Sequence, residues 1–490
     1  MIYKIAYIFC FLLILCSCQS DSVTEDDKEI TTSEIYVSNI TITGSDISSG
    51  TTTQLSAEIG PQNASNKAIT WSTSDASIAV VSQEGLVTAL KNGSVTITAT
   101  AKDKGSVSKT KVITISSFGT PATGYNVTTT AELITALTKV KPGENIILNG
   151  GTYIINTKID ITVSGTSDKP IKLMVKEGES RPKLDFSSMP ENASNQGIIL
   201  TANYWHIKGI DVFKAGDNGM QVKGNNNIIE FCTFSECSDT GLQIDNGASN
   251  NTILNCDSYF NADSSLENAD GFACKLTAGT GNKFIGCRAW QNLDDGWDGY
   301  LRGTDNITTT YENCWAVKNG YLKNGTKGLG DGNGFKTGGS DDKLLKHNAK
   351  YTNCIAAGNV EDGFDHNSNR GEVTIYNCSA YANGRNYSFS STNPLAKLTI
   401  KNSNSLDAYG STSATSVDIT NNSWQNGIVV TANDFKSTDF TELLAPRKTD
   451  GSLPDVNFFH LTATSVLIDK GINIGLPFKG TAPDLGAFEY

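Results

Sequence analysis

A glycine followed by a large apolar residue recurs along the second half of the chain, at Gly219-Met220, Gly241-Leu242, Gly271-Phe272, Gly296-Trp297, Gly334-Phe335 and Gly363-Phe364. The glycines are 22, 30, 25, 38 and 29 residues apart. A second phrase, often Asn-Cys-x-Ala/Ser, recurs at Cys232, Cys256, Cys287, Cys314, Cys354 and Cys378, and from Cys232, Cys287 and Cys354 the next glycine is 9 residues on. A constant segment alternating with a variable one implies fixed strands and insertable loops. The shortest period suits one coil of a parallel β-helix. No such coil can bury its apolar face alone, so coils must stack. The expected fold is all-β, a right-handed parallel β-helix, since parallel crossovers are right-handed.

The register carries the argument to chemistry. Side chains alternate along a strand, so the apolar residue after each glycine points in and the next points out. That outward column reads Gln221, Gln243, Ala273, Asp298, Lys336, Asp365; the column before the glycines reads Asn218, Thr240, Asp270, Asp295, Asn333, Asp362. With coils stacked about 4.8 Å apart, Asp270 and Asp295 become neighbours. Asp294 and Asp298 flank them, and Lys336 lies one coil beyond Asp298. A lone Asp-Gly is ordinarily a solvated turn. Aligned carboxylates repel unless a cation joins them, and this hard, all-oxygen set suits Ca2+ better than Mg2+. Lys336 alone would read as a solvated surface lysine. Beside a dication its pKa should fall below the reference of about 10.4, making it a candidate base. These parts fit β-elimination from a uronate, in which a base removes the C5 proton and the C4 oxygen leaves, the cation stabilising the developing enolate-like charge. No separate acid for the leaving group stands out.

The stretch from Asp270 to Lys336, with Gly281-Asn282-x-Phe284-x-Gly286-Cys287-Arg288-Ala289-Trp290 between, resembles the pectate lyases of polysaccharide lyase family nine. The resemblance implies a right-handed β-helix with calcium ligands Asp270, Asp294, Asp295 and Asp298 and the base Lys336. It implies a galacturonate-containing substrate, pectate or rhamnogalacturonan, from the acidic pectin of plant cell walls. Arg288 and Arg302 are candidate substrate-binding residues, Arg288 within the matching phrase; Lys275, Lys323 and Arg370 are further basic candidates. The segment 299–332 carries the largest insertion and is expected to decide the polymer. Two alternatives stand beside this reading. One is a pectin hydrolase on the same fold, using paired carboxylates such as Asp294-Asp295 or Asp365-His366, although the Asn-Thr-Asp, Gly-His-Gly and Arg-Ile-Lys phrases of polygalacturonases are absent. The other is a non-catalytic surface glycan-binding lipoprotein whose calcium is structural.

The rest of the chain sets context. Lys4 and the apolar residues 5–15 read as a signal segment, 1–17, too short to span a bilayer. Leu15-Cys16-Ser17-Cys18 resembles a bacterial lipobox, which would lipidate Cys18 and tie the chain to a membrane. Residues 18–34 read as a flexible acidic tether, whose acidic start resembles a surface-export signal. The expected location is the bacterial cell envelope, on the outer membrane with its outer face as one option, or outside the cell. Residues 35–118 alternate as a β-sandwich does and resemble a bacterial Ig-like group 2 domain, a spacer or a glycan-binding module. In the β-helix unit, 119–490, residues 131–140 carry helix periodicity, with Thr130 as N-cap, and would cap the first open coil. Ala482 to Tyr490 is expected to close the last coil. The eight cysteines beyond Cys18 are expected to be free, packed thiols rather than disulfides. The net charge of −12 argues against nucleic acid as a partner, and admits an anionic substrate only where a cation reverses the local sign. His206, His347 and His460 show no metal spacing, and a monomer is expected.

Overall fold

The computed structural model describes residues 34–47, 52–116 and 124–490. The chain divides into two compact units, Met1–Pro121 and Ala122–Tyr490. The signal segment, Cys18 and the tether up to residue 33 lie outside the described residues. In the first unit all the strands pair antiparallel, as in Ile69–Thr73 on Gly93–Ala101 and Gly93–Ala101 on Ser108–Ile115. Along Gly93–Ala101 the residues Val95, Ile97, Ala99 and Ala101 face inward around Trp71, and the intervening threonines stay partly exposed. That alternation with period two is what an antiparallel sheet with one wet face requires.

After a first strand, Gly124–Val127, the second unit has a helix, Thr130–Lys139, that buries Leu133, Ala136 and Leu137 against Val127 and Ile146 of the first strands. Its N-cap is Thr129, one residue before the expected Thr130. The reason is a capping box: Thr129 Oγ1 accepts the Glu132 N–H, and the Glu132 carboxylate reaches back to the Thr129 N–H.

Three parallel sheets of 12, 10 and 10 strands then run the length of the solenoid in a right-handed β-helix; after the first pair, Gly124–Val127 on Asn145–Leu148, each strand pairs with the one three strands on. In the third sheet Met220, Leu242, Phe272, Trp297, Phe335 and Phe364 form one row, and Gln221, Gln243, Ala273, Asp298, Lys336 and Asp365 the next. Both rows match the register read from the glycines. Phe272, Trp297, Phe335 and Phe364 stack at 5.2, 4.7 and 5.0 Å. The preceding glycines are needed because of a ladder that the sequence reading missed. Asn261, Asn292, Asn319, Asn359 and Asn383 run through the turns before the third sheet, each Nδ2 donating to the next Oδ1 at 2.8–3.0 Å. A Cβ on Gly296 would lie 2.8 Å from Asn319 Nδ2 and 2.5 Å from the Gly334 carbonyl. The Asn-Cys phrase has its own cause. Asn255, Asn313, Asn353 and Asn377 adopt φ of 50–53° at the turn into the second sheet, a left-handed conformation that asparagine tolerates. The cysteines that follow are buried, and all eight are free.

Two expectations about loops change. The segment 299–332 contains the strands Ile307–Glu312 and Trp315–Val317, so it is two insertions rather than one loop. The C-terminal residues lie along the second sheet instead of closing the last coil: Gly486 N–H donates to the Asn402 carbonyl (2.8 Å) and Ala487 N–H to Ser379 Oγ (2.9 Å). Phe435, Leu443, Phe458 and Leu485 pack there on Trp315 and Ile355, a second apolar core outside the solenoid.

Candidate active site

Parallel stacking brings Asp270, Asp294 and Asp295 together, with one carboxylate oxygen of each within 4.8 Å of the others. Their orientation comes from the neighbouring coils. Asp270 accepts from Thr240 Oγ1 (3.1 Å) on one side, and from the Asp295 N–H (3.3 Å) on the other. Asp295 Oδ1 accepts both the Asn333 N–H (2.8 Å) and Nδ2 (2.9 Å), and Asn333 Oδ1 accepts the Asp362 N–H (3.1 Å). Asp295 Oδ2 accepts no hydrogen bond although the residue is 0% exposed; its ion-pair neighbour is the Lys336 ammonium, 3.0 Å away. Lys336 also lies 3.0 Å from Asp331. Asp298 stands apart from the three. It accepts the Tyr300 N–H (3.0 Å) and lies 3.3 Å from the Lys275 ammonium, which donates to Asp270 at 2.7 Å.

This packing fixes the charges. Burial, then the charge of Asp270, pushes the Asp294 carboxyl up to about 7. Burial, then Asp294, holds Asp295 well above the carboxylate range. Burial also raises Asp270, the Asp298 charge adding to it and Lys275 opposing it. For Asp298 burial is outweighed by Lys275 and Lys336, which hold it below its usual value. Burial would lower Lys336, but Asp295, Asp298, Asp294 and Asp331 overcome that and hold its ammonium well above the ordinary lysine range. The downward shift expected beside a dication therefore does not belong to the metal-free chain, where the surplus negative charge acts alone.

Asp270, Asp294, Asp298 and Lys336 line a cleft of about 730 Å³, together with Lys275, Tyr300 and Arg302, and Asp295 lies buried behind them. Arg302 is exposed there, 3.3 Å from Asp341 and with its guanidinium 5.8 Å from the Tyr300 ring centre. Arg288 is elsewhere, and its expected substrate role is corrected. It is 3% exposed on the second sheet, forked onto Asp257 at 2.9 and 2.8 Å, and donates to the Leu443 and Ala445 carbonyls. It anchors the C-terminal segment to the sheet. Lys323 pairs with Glu236 at 2.6 Å, and lines a different hollow. Asp365 and His366, 3.9 Å apart, lie one coil beyond Lys336. The orienting Asn333 was not foreseen as part of the site, though it stands in the column before the glycines.

A family model described as "Pel9A-like, right handed beta helix region" matches residues 115–405. The chain belongs to polysaccharide lyase family nine. Residues 37–113 match a bacterial Ig-like domain of group 2. Pectate lyase L of Dickeya dadantii (strain 3937) is 39% identical over 368 residues, 72% of this chain and 84% of that protein. Pectate lyase PEL9 of Emericella nidulans is 33% identical over 353 residues, 66% of this chain and 85% of its own. Among solved structures, pectate lyase Pel9A aligns with a TM-score of 0.67 at 39% identity, over 72% of this chain and 90% of that one. A rhamnogalacturonan lyase aligns with a TM-score of 0.63 at 27% identity, over 69% and 97%. The chain is thus a polysaccharide lyase, and the hydrolase and non-catalytic alternatives fall.

Proposed function

We propose that this lyase cleaves a galacturonate-containing pectic polymer by β-elimination, using calcium held by Asp270, Asp294 and Asp295, with Asp298 beside them and Lys336 as general base. One observation carries the reading: the carboxylates of Asp270, Asp294 and Asp295 converge, and the buried Asp295 Oδ2, which accepts no hydrogen bond, sits 3.0 Å from the only lysine in the outward column. The donor set fits the ion, being all carboxylate oxygen without thiol or imidazole. When bound, calcium would supply Lewis-acid stabilisation of charge developing on the uronate carboxylate. The residues supply the rest. Asn333 and Thr240 orient Asp295 and Asp270 so that neither can turn away to solvent. Lys336, only 11% exposed at its side chain, is placed to take the C5 proton once it has released its own. Arg302, at the cleft wall, can pair with a second carboxylate along the chain. The names of the relatives, pectate lyases and a rhamnogalacturonan lyase, support the substrate class.

The test is turnover on pectic polymers, followed as ultraviolet absorbance of unsaturated ends. Activity should vanish in chelator and return with calcium better than with magnesium. Full activity in excess chelator refutes the calcium role. Residues 1–18 support a further proposal: lipidation at Cys18 anchors the enzyme to the bacterial outer membrane. Cys18→Ala should then release it from the membrane fraction; unchanged retention refutes the anchor.

A further inference from the structure

The cleft crosses several coils, and its ends differ in charge. Lys275, Arg302 and Lys336 all lie at the end that holds the clustered carboxylates. The other arm is lined by Asn218, Gln221 and Gln243 together with Asp217 and Asp239, and no lysine or arginine lines it among the described residues. Gln221 stands three strands from Asp298 in the outward row, about 14 Å at strand spacing, so a polymer seated on the central carboxylates reaches it with neighbouring sugars.

The groups in this arm are partly unspent. Asn218 Oδ1 and Gln221 Oε1 accept no hydrogen bond, although the residues are only 4% and 9% exposed. A side-chain amide presents a donor and an acceptor whichever way it is turned, and buried polar atoms of this kind call for a partner. Asp217 accepts from Gln196 Nε2 (2.9 Å) and Asn218 Nδ2 (3.3 Å), and Asp239 from the Thr240 N–H (2.7 Å). Burial, then the charge of Asp239, already raises the Asp217 carboxyl. An ionised uronate arriving here would add a third negative charge, and the nearby ammonium, Lys275, whose charge Asp239 also feels, is already paired with Asp270 and Asp298. A hydroxyl would instead donate to carboxylate and amide oxygens, a charge-assisted bond in the first case.

Building on the proposed lyase reading, we infer that this arm binds a sugar unit lacking an ionised carboxylate, while the ionised galacturonate occupies the carboxylate cluster. Two sources supply such a unit: a methyl-esterified galacturonate within homogalacturonan, or the neutral sugar of a rhamnogalacturonan backbone. The enzyme's polymer would then be one of mixed charge rather than a uniformly ionised one.

Binding, measured without turnover, tests this. The Lys336→Ala chain in calcium is titrated calorimetrically with matched oligomers: fully ionised oligogalacturonide, partially methyl-esterified oligogalacturonide, and rhamnogalacturonan oligomer. At least one mixed-charge oligomer should bind about fivefold tighter than the ionised one, the scale of a carboxylate pair in a partly wet cleft, and which one identifies the source. Adding Asp217→Asn and Asp239→Asn, or Asp239→Asn alone if the double variant folds poorly, should narrow the gap to about twofold by improving the ionised ligand. The inference is overturned if the ionised oligomer binds as tightly as the others. It is also overturned if the wild-type arm takes up a second calcium, lost in the Asn variants, that bridges an ionised uronate. Wild-type turnover on the same set separates the two readings: no lyase activity on any of them would sink the proposed reaction, whereas the binding order still decides what the arm accepts.

Discussion

Calcium binding should release a proton at mildly acid pH. In the metal-free chain Asp294 is held at about 7 by burial and by Asp270, so at pH 6 its carboxyl is about 90% protonated and at pH 8 about 10%. A cation needs the carboxylate. Calcium uptake at pH 6 should therefore expel close to one proton from Asp294, more if Asp295 also titrates, and almost none from it at pH 8. The same arithmetic lowers the apparent affinity about tenfold from pH 8 to pH 6, or about 1.4 kcal/mol. Titration calorimetry in buffers of differing ionisation enthalpy counts the protons directly, with no polymer present. Stability carries a linked sign. The folded pKa lies above the unfolded value near 3.8, so the folded state holds the extra proton between pH 4 and 7. Stability of the metal-free protein should fall as pH rises through that window, and calcium should restore it. No proton release at pH 6, with affinity flat from pH 6 to 8, would refute the claim that the carboxylates are crowded enough to hold a proton without a cation.

Other outcomes follow from single contacts. Lys336→Arg should lower kcat about 10²- to 10⁴-fold with little change in calcium affinity, because guanidinium cannot give up its proton at workable pH; a wild-type rate would exclude lysine as base. Asn333→Ala removes the Nδ2 donor to Asp295 Oδ1 and leaves the backbone N–H, and should weaken calcium about 10-fold, read by titration. Arg288→Ala breaks the fork onto Asp257 and leaves that carboxylate to Arg447; unfolding should become easier by about 2–4 kcal/mol, while kcat/KM of the folded enzyme stays within about twofold. Gly296→Ala should cost about 1–3 kcal/mol by overpacking, because its Cβ would strike the Gly334 carbonyl and Asn319; unchanged thermal stability would contradict the ladder's rigidity.

Much of the site was legible because a strand has a side-chain period of two and the coils stack in strict register. Once the glycines were aligned, Asp298 had to pair with Lys336, as it does. What escaped depends on contacts with no local pattern. Lys275 follows the end of its strand, and its ammonium turns onto Asp270 and Asp298; nothing in its neighbours announces that turn. Arg288 sits in a phrase rich in family character, yet its carbonyl partners Leu443 and Ala445 are 155 and 157 residues away. Only the return of the chain across the second sheet makes it a structural residue. The N-cap slipped by one because consecutive threonines at 128–130 all qualify by type, and the reach of Glu132 chooses among them.

The fold itself explains why this chemistry suits a cation. A parallel solenoid repeats every outward position about 4.8 Å from the last, so acidic residues in one row are forced within each other's field. The asparagine ladder and stacked aromatics beneath make that spacing rigid, and the carboxylates cannot relax apart by backbone movement. Relief must come from protons, from ammonium groups or from a dication. In the metal-free chain all three carboxylates of the cluster are raised toward their protonated forms, while Lys275 and Lys336 lie against them. A bound dication would take over the balancing role and leave Lys336 less firmly held as an ammonium, so the event that completes the site would also favour the neutral amine that the proposed reaction uses. Neutralising one carboxylate tests this coupling: Asp295→Asn should weaken calcium and also lower the Lys336 pKa in the metal-free chain, because its largest charge partner is gone. Lysine side-chain resonances titrated by NMR in chelator would report that shift, and a Lys336 pKa equal to that of the parent chain would show that the carboxylate row does not control the base.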